Sequence, residues 1–116
     1  MAVSLIERAV KAIGVDGVLA ALTPQEREAL LYDWPVWARP DQLPPLGDWL
    51  TWLVQAGRGY GKTKTGAEAT RDRVEHWGAR RVGLVGRTPA DVRDTMVEGE
   101  SGILACYPPG RKPLYE

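Results

Sequence analysis

AGRGYGKT, residues 56–63, follows directly on an apolar run, Trp49-Leu-Thr-Trp-Leu-Val-Gln55, and leads directly into a helix-forming run from Lys64 to Trp77. Strand, glycine-rich turn, Gly-Lys-Thr and helix, in that order, are the grammar of a phosphate-binding P-loop. A triphosphate needs many donors and positive charges at close range. Glycine has no Cβ, so the backbone N–H groups around Gly57, Gly59 and Gly61 can turn inward and approach phosphate oxygens. The following helix adds its unpaired first N–H groups and the positive end of its dipole. In this reading Lys62 reaches the β- and γ-phosphates of ATP and the Thr63 hydroxyl holds Mg²⁺. The usual pattern is G-x-x-x-x-G-K-[ST]. Ala56 stands at its first position, which is acceptable if that residue needs no positive φ. A chance Gly/Lys-rich turn is the plain alternative, and the flanking apolar and helical runs argue against it.

Outward from the loop, Trp49–Gln55 is nearly continuously apolar, as a central parallel strand covered on both faces would be. The helix predicted from Lys62 to about Trp77 carries Gly66, Ala67 and Ala69, small enough for close packing on a sheet. His76, the only histidine, falls at the C-terminal end of that helix, where a structural role is expected. Arg80-Arg81 then opens a second predicted strand, Val82–Val85. Strand, loop, helix and strand make one βαβ unit with a right-handed crossover. Thr88-Pro89-Ala90-Asp91 is an N-cap with proline and acid in the first turn, predicting a helix to about Met96–Glu98. Residues 103–105 predict a second short helical piece, and Cys106 beside it reads as a small buried apolar side chain. Tyr107-Pro-Pro-Gly110 reads as a turn, and RKPLYE as the approach to a further strand.

Toward the N-terminus, Leu5, Ile6, Ala9, Val10 and Ile13 fall at helical spacing, with a break expected at Gly14 and Gly17. Thr23-Pro24-Gln25-Glu26 is a capping box with proline at the first helical position, starting a helix to about Tyr32. Trp34-Pro35 should end it. Residues 33–48 carry Pro35, Pro40, Pro44 and Pro45 and read as extended linker, with Trp34 and Trp37 packing on a core surface. The fold class expected is α/β: an incomplete P-loop NTPase βαβ core of the ASCE type, preceded by N-terminal helices. The boundaries read as an N-terminal helical segment 1–36, a proline-rich linker 37–48, and the N-terminal part of an ATPase domain over 49–116.

Composition limits the alternatives. With 116 residues, 44% hydrophobic and 26% charged, the chain suits one globular domain. Formal net charge is zero, which gives no global pull toward nucleic acid. Between Arg58 and Arg81 a local excess of seven Lys/Arg over three Asp/Glu serves nucleotide, phosphate backbone or solubility equally well. One cysteine rules out an internal disulfide and fits a reducing, cytoplasmic setting. No apolar run approaches the roughly 20 residues of a membrane span. Hydrolysis of a triphosphate also needs an acid at the end of another strand to complete the Mg²⁺ site. Val82–Val85 ends in Gly86-Arg87 instead, and Asp91, Asp94, Glu98 and Glu100 fall in or around a predicted helix. The chain therefore reads as the front end of a longer ATPase domain.

At WLVQAGRGYGKTKTGAE, followed by RVGLVGRTPADVRDTMVEGESGIL, the sequence resembles the large subunit of tailed-phage DNA-packaging terminases, in the branch that includes gene-transfer-agent packaging proteins. LPPLGDWLTW is similar as well, and the likeness runs from about Trp37 to the C-terminus. It implies an ASCE-type ATPase that drives double-stranded DNA into a capsid, with a nuclease domain that this sequence does not contain. By this likeness residues 56–63 (Ala56, Gly57, Arg58, Gly59, Tyr60, Gly61, Lys62 and Thr63) are the Walker A. Lys62 and Thr63 take the phosphate and Mg²⁺ roles, and Arg58 lies where many terminases carry an arginine implicated in contacting the γ-phosphate. The likeness implies ATP and Mg²⁺ as cofactors, and double-stranded DNA, a small terminase subunit and the portal or procapsid as partners, in the cytoplasm of a bacterial host. Another P-loop NTPase, such as a helicase or nucleotide kinase, and a non-catalytic nucleotide-binding remnant are the competing readings.

Overall fold

Glycine, proline and capping residues set where the helices begin and break. The computed structural model describes residues 5–115. It divides into two compact units, one ending at Trp37 and one beginning at Ala38.

In the first unit, helix α1 (Leu5–Ala20) is broken at Gly14, whose φ of 75° and ψ of 167° lie outside helical space. A left-handed φ is available to glycine without a Cβ clash, so the expected interruption falls on that residue. The capping box at Thr23 forms as read: the Glu26 N–H donates to Thr23 Oγ1 at 3.2 Å, and the Thr23 N–H donates to Glu26 Oε2 at 2.9 Å. Helix α2 (Pro24–Leu31) follows, with proline in its first turn. The extended stretch expected from Asp33 onward starts instead with a helical turn, α3 (Trp34–Trp37). Pro35 sits in the first turn, where its missing N–H leaves no helical bond unmade. The Trp37 indole is part-exposed and donates to the Leu30 carbonyl at 2.7 Å. It thereby joins the Asp33 N–H, at 3.2 Å, on a carbonyl in the last turn of α2.

In the second unit the spine is α4 (Lys62–His76). It packs against α6 (Ile103–Cys106). Between them in sequence run α5 (Pro89–Asp91) and a π-helical turn, Val92–Val97. Thr88 caps α5 as expected, accepting from the Asp91 N–H at 3.1 Å. The core is small: among the described residues Ala67, Cys106 and Pro108 are buried apolar side chains, and Thr65, Glu68 and Gln42 are buried as well.

The βαβ core expected from the sequence is not formed. Among the described residues there is no β-strand. Trp52, Val54 and Ala56 alternate in burial with exposed Leu53 and Gln55, the period of a strand, although neither apolar segment is one. Neither segment takes part in a backbone–backbone hydrogen bond among the described residues. Leu53 at 78% and Val85 at 89% exposure face outward. An apolar run is a property of one segment, whereas a sheet is a property of paired segments. The run is present without the neighbours that would make it a strand. The final residues 112–115 likewise remain outside any sheet, with Leu114 exposed.

Candidate phosphate-binding loop

Residues 56–63 form an open turn into the N-terminus of α4. Gly59 and Gly61 have φ of 80° and 92°, and Gly61 is the left-handed N-cap of the helix. Among the described residues no non-glycine residue has positive φ, so Ala56 occupies the first position of the motif without strain. Lys62 folds back over the loop. Its Nζ donates to the Ala56 carbonyl, and contacts the Gly57 carbonyl at 3.4 Å. A side-chain ammonium is thus solvated by backbone oxygens within the loop, as phosphate oxygens would solvate it. Arg58 is exposed and makes no ion pair or hydrogen bond among the described residues.

A cavity of about 520 Å³ separates residues 57–64 from the 94–101 segment, and Asp94, Glu100 and Ser101 form part of its far wall. The sequence placed these acids on a helix without bringing them to the loop. Asp94 lies within the π-helical turn and Glu100 and Ser101 just past its end, and the packing of that turn against α4 brings them to the loop. Hydrogen bonding from Arg93, at 2.7 Å, holds the Asp94 carboxyl below its ordinary pKa. On the other side of Lys62 and Thr63 lies a second, mainly apolar cavity of about 400 Å³, walled by Gly66 and Ala67 of α4 and by Leu84 and Met96. Lys62 and Thr63 line both cavities.

The side chains that hold the loop were not found in the sequence. Pro40–Gln42 is a 3₁₀ turn inside the stretch read as linker. Gln42 is buried, and its Nε2 donates to Thr65 Oγ1 at 3.2 Å and lies 3.4 Å from the Tyr60 carbonyl. Its Oε1 accepts from the Arg39 N–H at 3.0 Å. The Arg39 guanidinium donates to the same Tyr60 carbonyl and lies 4.7 Å from the centre of the Tyr60 ring. The Tyr60 hydroxyl donates to the Asp41 carbonyl at 3.0 Å. The available signal was Pro40-Asp41-Gln42 itself: proline followed by an acid and an amide is first-turn chemistry, which reads as a capped turn within a proline-rich stretch.

Behind the loop, one face of α4 is a charged ladder. Lys64 pairs with Glu68 at 2.9 Å, Arg71 with Glu68 at 4.0 Å and with Glu75 at 3.3 Å. Arg71 also donates to the Cys106 carbonyl at 2.6 Å, tying α4 to the end of α6. Burial works against the Lys64 charge, but Glu68 outweighs it and the lysine pKa rises. Burial pushes the Cys106 thiol up to about 11, with the Glu68 charge acting in the same direction. Cys106 is buried as expected and is not poised as a nucleophile. His76 closes α4, its Nδ1 3.0 Å from Asp72 Oδ1, which is the structural role the sequence suggested. Arg87 is exposed, 3.8 Å from Asp91.

What this arrangement can do chemically is hold an oxyanion. The donors of the loop fit a triphosphate: left-handed glycines, an ammonium returned to the loop, an unpartnered arginine and a helix N-terminus converge on one cavity. Thr63 is half-buried and lines both cavities, the place from which its hydroxyl would hold Mg²⁺. Among the described residues, no group of three or more His, Cys, Asp or Glu side chains is arranged to hold a metal on its own. No helix among them is long and apolar enough to cross a membrane. No family model matches the chain, and no curated protein or solved structure matches it either.

Proposed function

We propose that residues 56–63 bind the triphosphate of ATP together with Mg²⁺, and that the chain is the ATP-binding portion of a DNA-packaging motor of the terminase large-subunit kind. The observation that carries the nucleotide half is the return of Lys62 onto the Ala56 and Gly57 carbonyls at the N-terminus of α4. Phosphate oxygens would replace those carbonyls around the ammonium. The βαβ sheet is no part of the reading. Its support is the loop, its donors and the cavity they border.

In this reading Lys62 neutralises the β- and γ-phosphates, the N–H groups of residues 59–63 cradle them, and the Thr63 hydroxyl holds Mg²⁺, which offsets phosphate charge. Arg58, exposed beside the same cavity, reaches the γ-phosphate and stabilises charge developing there. The motor half rests on the likeness that runs from about Trp37 to the C-terminus. It brings with it double-stranded DNA, a small terminase subunit and a portal or procapsid as partners.

Two measurements test the two halves. Calorimetric titration with Mg·ATP should show binding that Lys62→Ala abolishes; equal affinity in the variant would sink the loop assignment. Hydrolysis by the protein encoded at the complete locus should rise on adding double-stranded DNA. Hydrolysis indifferent to DNA would favour another P-loop NTPase, and binding with no hydrolysis under any condition would favour a non-catalytic nucleotide-binding remnant.

A further inference from the structure

A peptide unit is planar and trans, so its C=O and N–H lie on opposite edges. Whatever holds the carbonyl therefore aims the N–H. The Tyr60 carbonyl is held toward the 39–42 turn by Arg39 and by Gln42 Nε2. This turns the N–H of Gly61, on the other edge of the same peptide, away from that turn. The next peptide is held by Thr65: its N–H donates to the Gly61 carbonyl at 2.9 Å and its hydroxyl donates to that carbonyl at 2.8 Å. The Lys62 N–H is thereby turned out at the helix end. Among the described residues, Gln42 is the one side chain that touches both halves of this device, through the Tyr60 carbonyl and through Thr65 Oγ1.

Gln42 and Thr65 are both buried, whereas Arg39 is exposed and exchanges its bond with water at little cost. The fit at Gln42 is also close: a Cβ added at Gly61 would come within 3.0 Å of Nε2. Resting on the reading of 56–63 as a phosphate loop, we infer that Gln42 is a positioning residue for anion binding: it sets two successive backbone N–H groups, of Gly61 and Lys62, to face polyphosphate. The ligand class it serves is the phosphate chain. Gln42 works through the backbone and reads no base.

The test compares Mg·ATP with inorganic tripolyphosphate, which has no base, as ligands for the full chain. Gln42→Glu keeps volume and the acceptor for Arg39 but sets a carboxylate oxygen against the Tyr60 carbonyl. Thr65→Val keeps shape and removes the hydroxyl, and Thr65→Ser restores it. We expect Gln42→Glu and Thr65→Val each to weaken both ligands about tenfold, by equal factors, with Thr65→Ser close to the native chain. The ¹H–¹⁵N resonances of Gly61 and Lys62 should shift in both weakened variants. The two substitutions combined should cost little more than either alone, since they act on one device. A loss confined to ATP would overturn the inference and make Gln42 a base contact. Unchanged affinity in a folded Gln42→Glu chain, or in Thr65→Val, would also overturn it while leaving the loop reading intact. Failure of the native chain to bind either ligand would remove the loop reading and this inference with it.

Discussion

Nε2 of Gln42 lies 3.2 Å from Oγ1 of Thr65 across 23 positions of sequence, and both side chains are buried. This pair joins a turn that reads as linker to the first turn of the helix behind the phosphate loop. Without it, the Thr65 hydroxyl would keep only the Gly61 carbonyl and Gln42 Nε2 only its 3.4 Å contact with the Tyr60 carbonyl, a loss of about 0.5–1.5 kcal/mol for the missing bond. The pair therefore ties the loop to the small core of its unit.

Gly61→Ala tests the geometry directly. The position has φ of 92°, and an added Cβ would approach Gln42 Nε2 to 3.0 Å. Left-handed backbone costs a residue with a Cβ about 1–2 kcal/mol. The expected outcome is an unfolding free energy, from urea titration, lowered by that amount, with a lower midpoint and weaker binding of tripolyphosphate. An unaltered midpoint would show that the loop does not hold this conformation.

Glu68 is 5% exposed and shared between Lys64 and Arg71. Glu68→Ala removes the acid and leaves two cations beside a buried carbonyl. Breaking a buried pair costs about 3–5 kcal/mol, less where, as at Lys64, one partner retains access to water. A loss of about 2–3 kcal/mol is expected by chemical denaturation, with Glu68→Gln milder because it keeps an acceptor. Equal stability of the alanine variant would show that the ladder on α4 contributes nothing.

The Cys106 thiol, ordinarily near 9, is raised to about 11 in the folded chain. The folded state thus favours the protonated thiol. Its contribution to stability is fully present below about pH 9 and is lost as the pH rises through about 11. Titration with a thiol reagent at pH 8 should be slow in the native chain and fast in urea. Stability measured against pH should fall over that alkaline interval, and the fall should be smaller in Cys106→Ala. Rapid labelling of the native chain would contradict the burial.

The Thr23 capping box supplies two reciprocal bonds, at 3.2 and 2.9 Å. Thr23→Ala is expected to cost about 1 kcal/mol of helix stability. Circular dichroism should lose helical signal in the range of one short helix, with no effect on tripolyphosphate binding, because the substitution lies outside the unit that carries the loop.

Legibility in this chain follows the range over which each feature is decided. The break of α1 at Gly14, the box at Thr23, the start of α4 at Lys62 and the cap at Thr88 are settled within four or five residues. Backbone sterics and a nearby hydroxyl are enough, so the amino acids alone announce them. The AGRGYGKT loop is legible for the same reason: left-handed glycines and the reach of Lys62 to the Ala56 carbonyl are local. The sheet was misread because an apolar alternation needs a second segment to bond with, and residues 49–55 and 82–85 have none among the described residues. The contacts of Gln42 with Tyr60 and Thr65, and the approach of Asp94 and Glu100 to the loop, link positions that nothing in their own surroundings pairs. Hydrogen bonds and cavities of that kind come into being when distant segments are packed together, and they decide which backbone groups the loop can offer to a phosphate.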